Sequence, residues 1–277
     1  MKRILLISSF LIVFLTAAAQ ETDYAPLDSL LSVYCTAMQE ETIESKQQEC
    51  DFLIESCKDT ATMEHVARKL FDYYTTSPVM GEEALAIYLY DRWFSDGTLS
   101  IGGEYVKMEA DIFVMFNRNS LIGMEAPVLE LRDPHCKKVT LPSNGRTSIL
   151  FFFDTSCSKC RIYMDLLPQV LDGIDFSVDF YAVYCGSDKD AWSKFRKDFQ
   201  VGNKNINVIH AWDPELDTDY QRLYSVISTP RVFVVEPQGT ILGRRLEPDS
   251  LKELMIYAGA IQKVYDDFNN SEQYETK

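Results

Sequence analysis

The sequence has fewer positively than negatively charged residues. It has 27 Lys and Arg residues against 42 Asp and Glu, which gives a formal net charge of −15. Nucleic acids and anionic membranes are bound by clustered Lys and Arg side chains, so neither is expected as a partner. Internal repeats and low-complexity segments are missing as well. A chain that is 46% hydrophobic and 25% charged has the composition of folded globular domains.

Apolar runs of membrane-spanning length are also lacking. The run near the start, residues 4–15, follows a basic head at residues 1–3 and falls short of the ~20 residues that a span needs. Residues 16–19, Thr-Ala-Ala-Ala, come next, and this order is typical of a secretory signal peptide cleaved after Ala19. Residues 1–19 are therefore predicted to be removed. The mature protein is expected to be soluble, exported and periplasmic, with no membrane span.

Two kinds of hydrophobic pattern divide the mature chain. Residues 20–121 place apolar side chains at helical spacing in about five segments, separated by Ser-Pro, Asp-Gly and Gly-Gly. This pattern predicts a small all-helical domain. Residues 122–277 read as a second domain, which begins with a predicted hairpin over residues 127–143.

Strands and helices alternate in the second domain. Residues 147–153, Thr-Ser-Ile-Leu-Phe-Phe-Phe, form a continuous apolar run, as expected for a strand buried on both faces. Helices and strands then follow in turn, and a hairpin around residues 237–239 precedes a final helix predicted to begin at Ser250. This order predicts an α/β fold, with a mixed central sheet covered by helices on both faces.

The apolar strand leads into a Cys-x-x-Cys pair. Cys157 follows the strand and opens the next helix, where unpaired amide groups favour a thiolate. Cys160 lies one turn further along, close enough to attack a mixed disulfide formed by Cys157. Lys159, between them, is cationic and is expected to stabilise the thiolate. The pair is therefore interpreted as a redox centre, with Cys157 as the attacking residue and Cys160 as the resolving residue.

Other uses of the pair are less well supported by the residues around it. A zinc site usually needs a second pair of ligands, and the sequence contains no second Cys-x-x-Cys. Haem attachment requires histidine after the second cysteine, where this chain has Arg161. A structural disulfide stays open as an alternative. Neither a metal nor a cofactor is expected.

A second motif gives the pair a family context. Thr229-Pro230 precedes an apolar strand, and its combination with Cys-x-x-Cys resembles the thioredoxin superfamily, especially its exported TlpA-like branch. The resemblance implies a thioredoxin-like fold, a cis Pro230 beside the cysteines, and substrate binding by the backbone near Thr229. The helical first domain resembles one found on such proteins in Bacteroidetes-type bacteria.

The sequence departs from the family at three positions around the pair. Ser156 stands where thioredoxin has tryptophan, Phe151 stands where many members have a buried carboxylate, and Tyr163 replaces a glutamate that is frequent in the TlpA-like branch. The usual proton-handling carboxylates are therefore missing from their usual positions. The rate and the direction of disulfide exchange stay open.

Two functions fit this reading. The first is a periplasmic thiol–disulfide oxidoreductase that acts on protein thiols or disulfides together with an unidentified redox partner. The second is an envelope binding or scaffold protein that uses the thioredoxin-like domain as a platform. The cysteines at a helix start favour the first, and the missing carboxylates favour the second.

The helical domain is predicted to contain one disulfide. Its first two helices are expected to run antiparallel about a turn near residues 41–42, which leaves Cys35 and Cys50 almost equidistant from the turn. Cys35 and Cys57 form the alternative pair. Cys50 and Cys57 are seven residues apart on one helix, too far to bridge each other.

The signal-peptide prediction can be tested on protein from an envelope fraction. Mass spectrometry is expected to show a chain that begins at Gln20 or within a few residues of it. A soluble envelope form that keeps Met1 would contradict the prediction.

Overall fold

The computed structural model describes residues 23–275, and the side chains among them up to residue 269. The predicted signal peptide, residues 1–19, lies outside the described residues. The chain divides between Arg118 and Asn119 into two compact units, and the predicted boundary at residue 121 lies three residues further along. Within the described part of the chain, no helix is both long and apolar enough to cross a membrane.

The first unit is built from helices, as predicted. Thr42 and Asp59 cap two of them, because their side chains accept hydrogen bonds from the amides of Ser45 and Thr62 at 3.2 and 2.9 Å. The helices are α1 (Ala25–Ala37), α2 (Ile43–Glu55), α3 (Thr60–Thr76), α4 (Glu83–Leu89, continued by a π-helical turn over Tyr90–Phe94) and α5 (Glu104–Asn117).

The cysteines of this unit are free thiols in the structure, so the predicted crosslink is not formed. The Cys57 thiol, two residues beyond α2, donates to the carbonyl oxygen of Leu53 in that helix at 3.4 Å, and the Cys50 thiol lies 4.0 Å from the Tyr74 hydroxyl. Burial raises the pKa of Cys35 to about 12, and it raises the pKa of Cys50 as well. These cysteines therefore belong to the packed core as protonated thiols.

A buried ion pair ties α2 to the start of α4. The Lys46 ammonium lies 2.6 Å from Oε1 of Glu82, and both side chains are at most 3% exposed. Lys46 also donates to the carbonyl oxygen of Gln39 at 2.9 Å, and the Ser77 hydroxyl donates to the other carboxylate oxygen of Glu82. Each charge therefore has partners that replace the water it lost, which buried ions require.

Replacing Lys46 with Met is expected to leave the Glu82 carboxylate buried without its counter-charge. The opening free energy of the helical unit should fall by about 3–5 kcal/mol. Hydrogen–deuterium exchange of peptides from α2 and α4 in the full chain would measure it. The control is Lys107→Met, which removes the exposed Lys107–Asp111 pair and should cost less than about 1 kcal/mol. Equal losses in the two variants would contradict this account of the buried pair.

The second unit contains one mixed seven-stranded sheet, with the strand order β2-β1-β5-β4-β3-β6-β7. Strand β4 is parallel to both β3 and β5, whereas β6 is antiparallel to β3. The strands are β1 (Leu129–Arg132), β2 (Lys138–Leu141), β3 (Thr147–Phe153), β4 (Val178–Tyr184), β5 (Ile206–Trp212), β6 (Arg231–Val235) and β7 (Ile241–Arg244). The helices are α6 (Ser158–Asp172), α7 (Lys189–Asp198), α8 (Tyr220–Leu223) and α9 (Pro248–Glu275).

Helices cover both faces of the sheet, and this confirms the predicted fold class. All seven residues of β3 are buried, which explains why that strand reads as a continuous apolar run. Its odd-numbered side chains, such as Phe151, pack with α6, α7 and α9. Its even-numbered side chains, such as Phe152, pack with the short helix α8 and with the hairpin β1–β2.

The last helix begins two residues earlier than predicted. Pro248 is its first residue, and the amide of Leu251 donates to the carbonyl oxygen of Glu247 at 2.8 Å. Proline is favoured at a first helical position because its φ angle suits a helix and the amide there has no helical partner. Glu247 is thereby fixed at the start of α9.

Candidate active site

The Cys-x-x-Cys pair lies where β3 ends and α6 begins. The loop between them is held by Asp154, whose Oδ1 accepts hydrogen bonds from both the amide and the hydroxyl of Ser156 at 2.8 Å. Cys157 is the N-cap residue of α6, and its sulfur accepts a hydrogen bond from the amide of Cys160 at 3.2 Å. The predicted placement of Cys157 at a helix start is therefore confirmed.

Cys157 is half-buried, and its environment favours the thiolate. Desolvation works to raise its pKa, but hydrogen bonds from the side chain and amide of Cys160, from Thr229 and from the amide of Lys159 outweigh it. The net effect is a pKa below the ordinary value for cysteine. Amide groups at a helix start carry partial positive charge, which is the physical basis of this stabilisation.

Cys160 has the opposite environment. Its side chain has no exposed surface. Burial, together with the hydrogen bond to Cys157, raises its pKa to about 12. The two thiols therefore differ in the way that sequential exchange requires: one is reachable and acidic, and the other is enclosed and protonated.

The Thr229-Pro230 segment lies against the cysteines. The antiparallel pairing of β3 with β6 sets Phe152 opposite Arg231, so the residues that precede β6 lie beside the end of β3. The carbonyl oxygen of Thr229 accepts a hydrogen bond from the Cys157 thiol at 3.2 Å, across 72 residues of sequence. The Thr229–Pro230 bond is cis, as predicted.

The Lys159 ammonium has a partner that the sequence did not reveal. Nζ lies 2.7 Å from Oε1 of Glu247. The backbone amide of Lys159 is one of the groups that lower the pKa of Cys157. Direct tuning of the thiolate by the Lys159 charge stays a prediction.

Tyr163 and Glu247 are site residues that sequence reasoning missed as partners. The Tyr163 hydroxyl donates to Oε2 of Glu247 and to the carbonyl oxygen of Leu246, the latter at 3.3 Å. Glu247 is 84 residues beyond Tyr163 and belongs to no motif, so no local spacing could have pointed to it. A carboxylate is therefore present near the pair, although it comes from another element.

The comparison with known proteins agrees with this geometry. A family model described as thioredoxin-like matches residues 145–241. The fold also matches the crystal structure of a thioredoxin-like protein from Bacteroides caccae with a TM-score of 0.64 and 16% sequence identity, over 88% of this chain and 87% of that one. The second unit therefore has a thioredoxin-like fold.

Other solved structures match the thioredoxin-like domain at lower scores. One is the thioredoxin domain of a thiol-disulfide oxidoreductase from Bacteroides vulgatus, with a TM-score of 0.43 and 20% identity, over 49% of this chain and 96% of that one. Another is a thiol:disulfide interchange protein from a Bacteroides species, with a TM-score of 0.40 and 20% identity, over 49% of this chain and 88% of that one. No curated protein matches the sequence.

A groove of about 750 Å³ lies beside the pair in the thioredoxin-like domain. One wall is the loop 154–156 that leads into Cys157, and the other walls come from α6 and α7. Its floor includes Tyr184 and Phe195, and aspartates are more numerous than cations along it. The groove is therefore an open, partly apolar surface beside the loop that leads into Cys157.

Two hydrogen bonds form at the Cys157 sulfur, and the side chain also packs against the apolar core of the domain. The amide of Cys160 donates a hydrogen bond to the sulfur, and the carbonyl oxygen of Thr229 accepts a hydrogen bond from the thiol. Among the side chains that the structure describes, residues 23–269, no three His, Cys, Asp or Glu groups are placed to hold a metal ion together. The two hydrogen bonds at Cys157 act on the charge and the proton of its sulfur.

Alkylation of the reduced protein tests the difference between the two thiols. Cys157 should react with iodoacetamide with a midpoint below pH ~8.5, the value for a free cysteine, because its thiolate is stabilised. Cys160 should stay unmodified up to pH 9, since its pKa is about 12. Peptide mass spectrometry across pH 5–9 measures both sites.

Cys185 is the internal control, because burial raises its pKa to about 12 as well. In denaturant, all these thiols should react alike. Equal alkylation of Cys157 and Cys160 in the folded protein would refute the assignment of roles.

Proposed function

We propose that this protein is a periplasmic thiol–disulfide oxidoreductase that exchanges disulfides with protein substrates through Cys157 and Cys160. The difference between the two thiols carries the proposal: a half-buried cysteine of lowered pKa caps a helix, and a fully buried cysteine of raised pKa lies one turn later. The thioredoxin-like fold supports protein thiols as the substrate class. The predicted signal peptide supports export.

In the reducing direction, the Cys157 thiolate attacks one sulfur of a substrate disulfide. A Cys157–substrate disulfide forms, and the other substrate sulfur leaves as a thiolate that takes a proton. Cys160 then loses its proton and attacks the Cys157 sulfur, which closes the Cys157–Cys160 disulfide and releases the second substrate thiolate. Two electrons pass from the pair to the substrate, and a redox partner must return them. The same steps in reverse oxidise a substrate dithiol.

Thr229 is proposed to hold the substrate chain during these steps. Its carbonyl oxygen accepts a hydrogen bond from the Cys157 thiol, with 3.2 Å between the sulfur and the oxygen. Once Cys157 is ionised or joined to a substrate, that oxygen has lost this donor and can accept an amide of the substrate backbone. The groove beside loop 154–156 offers apolar contact to side chains that flank the substrate cysteine. Backbone pairing with side-chain contact alongside is a common mode of recognition for extended peptides.

Replacing Cys160 with Ser is expected to trap substrates, because the mixed disulfide on Cys157 then has no thiol to resolve it. Non-reducing gels of cells that express Cys160→Ser should show crosslinked bands that mass spectrometry identifies as envelope proteins. Cys157→Ser should abolish these bands without unfolding the domain.

A matched control for trapping is Cys185→Ser, which removes another thiol of raised pKa from the same domain. It should give the wild-type pattern. If Cys160→Ser shows no bands, and partner binding survives the loss of both cysteines, the protein is a scaffold rather than an exchange enzyme.

A further inference from the structure

Three side chains close a small network next to the cysteine pair. The carboxylate of Glu247 accepts a hydrogen bond from Lys159 at 2.7 Å on one oxygen and from the Tyr163 hydroxyl on the other. The Lys159 ammonium also lies 5.8 Å from the centre of the Tyr163 ring. We call these three residues the Glu247 network. Every member contacts the other two.

The network lies over the first turns of α6, which carry the cysteines. Lys159 precedes Cys160 by one residue, and Tyr163 follows it by three, on the same buried face. Helical side chains lean toward the helix N-terminus, so the Tyr163 ring covers the turn that contains Cys160. Glu247 is fixed from outside this helix, because the first turn of α9 holds its backbone. The backbone of Glu247 is therefore held independently of α6, and its carboxylate meets Lys159 and Tyr163 of that helix.

Glu247 is ionised in this setting. Desolvation acts to raise its pKa, but the hydrogen bonds from Lys159 and Tyr163 lower it below the ordinary value for glutamate. Burial, followed by the bond to Glu247, raises the pKa of Tyr163, so that its hydroxyl stays a neutral donor. The carboxylate therefore places a negative charge beside the ammonium of Lys159, the residue that lies between the two cysteines in the sequence.

This pairing has a consequence for the redox balance of the cysteines. A free Lys159 cation would stabilise the Cys157 thiolate, which belongs to the reduced form, and would make the pair a stronger oxidant. A free Glu247 anion at the same place would have the opposite effect. The other cation that acts on Tyr163 is Arg231, and it is held separately by the carbonyl oxygens of Ser225 and Pro230 at 3.2 Å.

We propose that Glu247 sets the reduction potential of the Cys157–Cys160 pair by neutralising Lys159 over the first turn of α6. Glu247 is a positioning residue in this account, since it acts on the cysteines through Lys159 and Tyr163. The proposal rests on the proposed function and deepens it, because the potential decides whether the pair oxidises or reduces its substrates.

The test is the equilibrium of the full mature chain with glutathione, in which two glutathione thiols reduce the Cys157–Cys160 disulfide to the dithiol and become one disulfide. In Glu247→Gln, the equilibrium should shift toward the dithiol by about twofold to fivefold, the size expected for exposed charge pairs. In Lys159→Gln, it should shift by a similar factor toward the disulfide. The double variant should return close to wild type, and so should Glu247→Asp.

The effect of ionic strength and the pKa of Cys157 are two measurements that a purely structural role of Glu247 would not change. The opposite shifts should shrink in 1 M salt, where the Debye length is about 3 Å. The pKa of Cys157, followed by thiolate absorbance, should fall in Glu247→Gln and rise in Lys159→Gln. The matched control is Glu130→Gln, which removes an equally exposed Lys–Glu pair at the far edge of the same sheet and should leave the equilibrium unchanged.

The outcomes separate this proposal from the proposed function. If wild type equilibrates with glutathione but both single variants keep its equilibrium constant, the role of Glu247 is overturned and the exchange function stands. Shifts of the same sign in both variants would likewise overturn it. If wild type forms no Cys157–Cys160 disulfide in any glutathione buffer, the exchange function fails, and this proposal fails with it.

Discussion

The arrangement of the site depends on one strand that is paired on both edges and buried on both faces. Strand β3 lies between the parallel β4 and the antiparallel β6, and every one of its side chains is buried. Such a strand has no freedom to slip by one residue, because a slip would exchange the side chains of its two faces. The point at which β3 ends is therefore fixed. The cap of α6, the sulfur of Cys157 and the approach of Thr229 are fixed along with it.

The two cysteines differ because they lie three positions apart at the start of a helix. Position 157 lies before the first turn, where amides point outward without partners, and position 160 lies inside that turn, against the core. The same helix thus stabilises the charge of one sulfur and excludes water from the other. No additional catalytic group is needed to produce this difference, although the rate of exchange depends on how Cys160 loses its proton.

In the Glu247 network, the carboxylate comes from outside α6, the helix that carries Lys159 and Tyr163. Phe151 and Tyr163 occupy the positions where the family resemblance led us to expect acids, and the aromatic rings of both lie stacked with their centres 6.3 Å apart. The Tyr163 hydroxyl then reaches a glutamate at the start of the final helix. An exposed ion pair of this kind adds little to stability, so its value to the protein is better sought in the way that it neutralises the charge of Lys159.

Local order was well determined by the sequence alone. The apolar run of β3, the cysteine that caps α6 and the alternation of strands and helices all depend on neighbours within a few residues, and period and capping rules describe such neighbours. The order of the elements and the paired motifs pointed to the thioredoxin-like fold for the same reason. The start of α9 at Pro248 was less accurately placed, because a proline at the first helical position sets that end.

Contacts between distant residues were decided only by the tertiary structure. The Thr229 carbonyl is 72 residues from Cys157, and Glu247 is 88 residues from Lys159. Whether such groups meet depends on the order and the register of the strands. Neither of these can be derived from the composition of the two segments. For the same reason the sequence placed Cys35 and Cys50 at equal distances from a turn, but it could not show that both thiols pack around Tyr74 as free groups. Spacing along the chain predicts which face a residue occupies, whereas the packing of whole elements decides what that face meets.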